Sequence, residues 1–212
     1  MTYIGVDGCR GGWLFSILNE ENKIEVKLFR KINDAYEILN LAKHVFIDMP
    51  IGLIEIKGEE REIDIQIRKD LGQPFSSSVF TIPCKQAVYA DSYQSANAIN
   101  KEVLGKGISI QAWNICNKIK ELDVFIDQNQ AFKQKIKETH PELCFKQING
   151  SSLTHKKKTK EGKIERIRIL NSIRPNIINE VDACRKQFLK KDVADDDILD
   201  SLVLVCSSNI KY

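Results

Sequence analysis

The chain has 212 residues, 42% of them hydrophobic and 29% charged, with a formal net charge of +3. That supplies one sizeable core, so a single domain over residues 1–212 is expected, and no apolar run approaches the roughly 18 residues of a membrane span. The charge is too small to identify a nucleic-acid partner unaided, and the absence of leader composition, of a Cys-x-x-Cys pair and of zinc-spaced Cys/His sets leads us to expect six reduced thiols and a cytoplasmic protein.

Residues 2–7 read as a buried strand, and Gly8-Cys9-Arg10-Gly11-Gly12 as a tight connection to a second strand, Trp13 to Leu18. After a polar turn at 19–22, Ile24, Val26 and Leu28 alternate with polar residues and predict a third strand over 23–29. Asn33 or Asp34 can cap a helix running to Leu41, with Tyr36, Ile38 and Leu39 facing inward. Val45 to Asp48 is a fourth strand whose apolar run suits a central position, and Pro50 and Gly52 end it. A helical insertion is expected over about 55–135, with helices at 59–71, 91–104 and 109–121 separated by glycine-rich punctuation. A short fifth strand, Ile136 to Thr139, stops at His140-Pro141. Helices are then expected at 142–148, 162–173, 177–189 and 194–209, with the densest basic stretch, Lys156 to Lys160, in a loop ahead of the second of these.

This order predicts an α/β fold: a mixed five-stranded sheet flanked by helices, with the insertion between strands 4 and 5. It is the order of the ribonuclease H-like fold, which carries acidic residues on its first strand, its fourth strand and a late helix. Asp7, Asp48 and the group Asp196, Asp197 and Asp200 occupy those places here. An ionised Asp ending a buried strand is costly unless paired. Two at neighbouring strand ends raise each other's pKa unless a cation lies between them. Hard divalent ions take a few carboxylate ligands and keep positions open for phosphate. The candidate metal ligands are therefore Asp7, Asp48, Asp196, Asp197, Asp200 and Glu142, and the candidate cofactor is Mg²⁺ or Mn²⁺. Asp7 is expected to bridge two ions, with Asp48 on one and the last-helix carboxylates on the other.

His140 can orient water or a leaving group beside Glu142. Arg10, Arg61, Arg68, Lys157, Lys158 and Lys160 are candidate phosphate contacts. Each has a blander reading: turn aspartates, acids favoured at a helix N-terminus, and a solvated lysine loop. Trp13 and Trp113 can stack bases, although core packing explains both. Cys9, Cys144 and Ser76 to Ser78 lack a local base that would make any of them a nucleophile.

Several segments together resemble the domain-of-unknown-function family 429, described as predicted nucleases with a ribonuclease H-like fold. They are VDGCRGGW from Val6, IDMPIGL from Ile47, the Arg61, Asp64, Arg68 helix with Leu71-Gly72, and SSVF from Ser77. To these are added GISIQAW from Gly107 with Lys118 and Glu121, HPELCF from His140, KKTKEG from Lys157 and DDILDSL from Asp196. The Asp197…Asp200 spacing also looks like the last helix of Holliday-junction resolvases. The chain departs from cellular ribonucleases H in having no evident metal-binding Glu on its first helix, where Glu37 is the nearest acid and Glu142 can take that electrostatic role.

The function expected is metal-dependent hydrolysis of a nucleic-acid or nucleotide phosphodiester. A second reading is a catalytically inactive module that binds nucleic acid or protein. A third, an actin-like ATPase or kinase, lacks the Ser or Thr after the first-strand Asp-Gly, where Cys9-Arg10 stand, and no Walker-type Gly-Lys-Ser/Thr occurs. No heptad or large apolar stripe fixes an oligomeric state.

Overall fold

The computed structural model describes residues 1–208. Its contacts divide the chain into two compact units: Met1–Met49 with the chain from Asn129 onward, and Pro50–Gln128.

The first unit holds a five-stranded sheet in the order β3-β2-β1-β4-β5. Its strands are β1 (Thr2–Cys9), β2 (Gly12–Leu18), β3 (Ile24–Phe29), β4 (Ala42–Asp48) and β5 (Ile136–Glu138). β1, β2 and β3 form the antiparallel meander expected from the sequence. β4 then pairs parallel to β1, and β5 parallel to β4. The three parallel strands therefore end at one edge, where open α/β sheets characteristically bind ligands. The element order and pairing are those of a ribonuclease H-like α/β fold.

β2 is buried along its whole length. Its one polar side chain in that run, Ser16, meets Ser201 Oγ at 2.9 Å, so the burial leaves no unsatisfied hydroxyl. Ser201 lies on α9 (Asp195–Ser207), which packs on β1, β2 and β4. Ile198, Leu199, Leu202, Val203, Leu204 and Val205 are all fully buried on that helix, each worth about 1.5–3 kcal/mol relative to exposure. The close approach of α9 depends on Gly5. A Cβ there would fall on the Ser201 carbonyl oxygen and the Val205 amide nitrogen.

A 3₁₀ turn, Ile32–Ala35, leads into α1 (Tyr36–Leu41). Its inward face differs from the expected one: Ile32, Ala35 and Leu39 are buried, whereas Tyr36 is 41% exposed. The 3₁₀ entry rotates the helix face relative to a continuous α-helix, and Tyr36 instead makes an edge contact with Phe132. α6 (Pro141–Asn149), α7 (Lys160–Ile173) and α8 (Ile177–Gln187) complete this unit. α7 starts two residues earlier than the 162 expected, because Thr159 Oγ1 accepts from Gly162 N at 3.0 Å and caps it. The last residue of the helix expected over 194–209, Asn209, lies outside the described residues.

The second unit is helical: α2 (Glu62–Leu71), α3 (Lys85–Val88), α4 (Tyr93–Leu104) and α5 (Ile110–Gln128). α5 runs past the expected end at 121 because Leu122, Phe125 and Ile126 continue its buried face. Cys84, Ala87, Ala96 and Ile108 form a small core against which Trp113 and Tyr93 pack. The buried Asn100 ties this core together, accepting from Cys84 N at 2.9 Å and donating to the Lys106 carbonyl at 2.8 Å. Among the described residues no helix is long and apolar enough to cross a membrane.

Candidate active site

The parallel pairing brings Asp7 opposite Asp48, the last pair of the β1–β4 register; Asp48 ends β4, whereas β1 runs two residues past Asp7, through the Gly8 and Cys9 expected in the connection. The neighbouring strand β5 also ends in an acid, Glu138, in register with Ile47. Sequence reading passed over Glu138, although its place at a strand end repeats the signal that singled out Asp7 and Asp48. The start of α9 supplies Asp200, 2% exposed, from the opposite side of this edge.

These carboxylates sense one another. Burial pushes the Asp7 carboxyl well above its usual range, and the charges of Asp48, Asp200 and Asp197 push it further. Burial, followed by the charge of Asp200, raises Asp48 to about 7. Asp197 is also raised, chiefly by burial, against the opposing hydrogen bond from the Ala194 amide. That bond, 2.7 Å to Asp197 Oδ2, closes the first turn of α9, so Asp197 acts as a helix cap as well as a member of the cluster.

The acidic run at the start of α9 thus splits by face. Asp195 is held by Arg185 at 2.9 Å, Lys163 at 3.1 Å and Lys190 at 3.7 Å. Asp196 and Asp200, one turn apart, both face Lys157, whose Nζ lies 3.9 Å from Asp196 Oδ2 and 2.7 Å from Asp200 Oδ2. The charges of Asp200, Asp48 and Asp7 raise the Lys157 ammonium above its ordinary value, so it stays protonated.

Glu142 enters from the first turn of α6, behind Pro141, which suits the first helical position because its missing N–H needs no partner there. One oxygen of Glu142 accepts from Arg166 at 2.5 Å, and Arg166 is fully buried. Burial raises Glu142 and Arg166 opposes that rise. His140 stands at the N-cap position of the same helix, with no capping bond from its side chain. Burial, with help from Lys157, lowers its imidazole to about 4, so it is neutral at physiological pH.

Beside the acids, a cavity of about 660 Å³ is lined by Arg10, Lys157, Lys158, Lys160, Lys163, Lys190 and Lys191, with Asp192 and the aspartates that open α9 among them. Arg10, Lys157, Lys158 and Lys160 were expected as phosphate contacts; Lys163, Lys190 and Lys191 were not. The Lys190-Lys191 pair immediately ahead of the acidic helix start was the signal available. Arg61 and Arg68 belong to the second unit. Arg61 donates there to Asp64 at 2.6 Å and to the Ile51 and Gly52 carbonyls at 3.1 and 3.0 Å. Arg68 donates to the Val79 carbonyl at 3.0 Å. Trp13 is completely buried in the sheet, and the six cysteines are buried free thiols.

The fit to a divalent ion has two sides. The donors are hard oxygens, and two of their atoms, Asp200 Oδ1 and Glu142 Oε2, are buried with no hydrogen-bond partner, a state that is costly unless a cation or donor completes it. The donor set therefore suits Mg²⁺ or Mn²⁺. Among the described residues, however, no three His, Cys, Asp or Glu side chains stand at ligand spacing. The acids surround an ammonium instead.

The family described as protein of unknown function (DUF429) matches residues 5–210, nearly the whole chain. No curated protein and no solved structure gives a significant match. The chain belongs to the DUF429 family.

Proposed function

We propose that this DUF429 member hydrolyses phosphodiester bonds of a nucleic acid or nucleotide, using Mg²⁺ or Mn²⁺ held by Asp7, Asp48 and Asp200, with Asp197, Asp196 and Glu142 in support. The observation that carries this reading is the convergence of mutually repelling, buried carboxylates next to a cavity walled with lysines. Acids alone repel a phosphate and lysines alone do not hydrolyse it; the pairing suits a cation-assisted reaction on an anionic substrate.

When bound, the divalent ion supplies Lewis-acid charge at the phosphate and acidifies a water. The chain's own groups do the rest. Arg10, Lys158, Lys160, Lys190 and Lys191 hold the phosphate groups on the cavity wall. Asp48, held ionised by a neighbouring cation, can accept a hydrogen bond from the attacking water. His140, neutral and with Nδ1 buried and unpartnered, can orient that water by a hydrogen bond. Arg166 fixes the Glu142 carboxylate.

The test is a hydrolysis assay with RNA, single-stranded DNA, duplex DNA and a chromogenic phosphodiester, with and without Mn²⁺. Metal-dependent cleavage abolished by Asp7→Asn supports the reading, and full activity in that variant sinks it. A second reading draws on the ammonium among the acids: a binding module neutralised by Lys157. It predicts metal-independent binding of nucleic acid with a steep salt slope.

A further inference from the structure

We infer that the lysine-lined cavity is a subsite for a phosphate monoester, so that the substrate is a strand end or a nucleotide carrying a terminal phosphate beside the phosphodiester to be cut. This rests on the hydrolytic reading above.

The wall of the cavity is unbalanced in charge. Seven lysine and arginine side chains line it against four aspartates. Asp195 is also bonded from outside the wall by Arg185, at 2.9 Å, and Asp196 faces Lys157 at 3.9 Å. Asp200 lies outside the wall and takes Lys157 at 2.7 Å. Even with Lys157 assigned to Asp200, six cations face the four aspartates. Arg10, Lys158, Lys160 and Lys191 make no ion pair among the described residues. A single phosphodiester, with one negative charge, does not offset this excess. A phosphate monoester, at about −1.5 to −2 near neutral pH, does. Lys157 and Asp197 belong to the wall and to the acid cluster alike, so the excess lies beside the place of cleavage.

The wall also includes Thr159 and Lys160, the N-cap and first residue of α7. The amides of a first helical turn have no partners within the helix and favour an anion, whereas the macrodipole disfavours lysines there. Lys158 and Lys160 flank the cap all the same, and a bound dianion turns that repulsion into attraction on both sides. The loop that presents them is braced from behind. Glu165, on α7, accepts from the Thr154 and His155 amides at 2.8 and 2.9 Å. Arg166, the next residue, donates to the His155 carbonyl at 3.1 Å and the Gly162 carbonyl at 3.0 Å. Gly162 lies so close to the Lys156 carbonyl that a Cβ would collide with it. Lys158 and Lys160 are left exposed, while Lys157 turns inward to Asp200.

The test is binding of short, internally labelled single strands to the full chain in Ca²⁺, read by fluorescence anisotropy. One strand carries a 5′-phosphate and one a 3′-phosphate. A third, two nucleotides longer, ends in hydroxyls and so matches them in charge. One phosphorylated end should bind at least tenfold tighter than the hydroxyl-ended strand. Lys158→Ala/Lys160→Ala should abolish that difference, with folding checked by circular dichroism. Lys156→Ala, outside the cavity wall, should keep it. Competition by a nucleoside monophosphate as strong as that of the phosphorylated strand would assign the monoester to a free nucleotide, and weaker competition to a strand end. Equal affinity for all three strands, no binding by any, or a preference that survives in the double variant overturns the inference. The hydrolysis assay on the same strands separates it from the reading it rests on. Metal-dependent cleavage indifferent to the end group overturns the inference alone. A terminal-phosphate preference without cleavage of any strand overturns the hydrolytic reading and leaves the phosphate subsite standing.

Discussion

Asp7 and Asp48 are register partners across the parallel β1–β4 pair, so the folded chain holds two acids together that the unfolded chain keeps apart. The stability cost of that arrangement depends on pH. The Asp48 carboxyl moves from 3.8 to about 7 on folding, first through burial and then through the charge of Asp200; Asp7 moves in the same direction. Between those values the folded state binds protons that the unfolded state does not, so stability falls as pH rises. We predict that the metal-free protein melts higher at pH 5 than at pH 8. Asp48→Asn should flatten that profile and raise the melting temperature at pH 8. Identical profiles for native protein and variant, measured in chelator-containing buffer, would contradict this origin of the pH dependence.

A divalent ion has to deprotonate the same groups. With Asp48 near 7 and Asp7 also raised, Mn²⁺ binding at pH 6.5 should release protons from both groups and weaken as pH falls. Calorimetry in two buffers of different ionisation enthalpy reads the proton count directly. An observed enthalpy independent of buffer would show that Asp48 is not a ligand.

The site depends on the seat of α9 as much as on its acids. Gly5→Ala places a Cβ against the Ser201 carbonyl and the Val205 amide. Backbone cannot yield there as a flexible side chain would, so a loss of about 1–3 kcal/mol or more is expected. The urea midpoint should fall with its slope unchanged. Because α9 also carries Asp197 and Asp200, Mn²⁺ affinity should fall in the portion of the protein that remains folded.

Arg166 and Glu142 form a buried ion pair at 2.5 Å, and Arg166 also stacks over Phe145, with the guanidinium 5.5 Å from the ring centroid. Arg166→Met strands a buried carboxylate and frees the His155 and Gly162 carbonyls, which should cost about 3–5 kcal/mol. The double variant Arg166→Met/Glu142→Leu should recover a large part of the loss in chemical denaturation. A double variant as unstable as the single one would assign the cost to the loop instead of the pair.

The sheet order was legible because each strand announces itself locally: alternation in β3, apolar runs in β1 and β4, and an acid where the apolar run of each of these two stops. The same local signal located Asp7 and Asp48. The inward face of α1 was misread because a 3₁₀ turn shifts the helical phase without a marker in composition. From sequence, Lys157 is either a phosphate contact or part of a solvated lysine loop. Its pairing with Asp200, 43 residues away, follows from a loop whose braces, Glu165 and Arg166, look like ordinary surface residues of an amphipathic helix. Local patterning therefore gave the acids, and tertiary packing alone gave their counter-ion.

The lysine wall separates substrate binding from catalysis. Lys158, Lys190 and Lys191 line the cavity beside the acids, whereas Lys57 and Lys106 line a separate cavity of about 340 Å³ within the second unit. If the substrate is a nucleic acid tracked along the first wall, each phosphate contact removed there reduces the salt slope of binding by about 0.7–0.9. Lys190→Ala/Lys191→Ala should thus flatten the plot of log affinity against log salt by roughly 1.5 and weaken binding of every sequence alike. Lys57→Ala/Lys106→Ala should leave it unchanged. Fluorescence anisotropy of a labelled single strand in Ca²⁺, across a salt series, separates the two. An unchanged slope in the first variant, or an equal loss in the second, would move the nucleic-acid path away from the acidic site and favour a small nucleotide as the substrate.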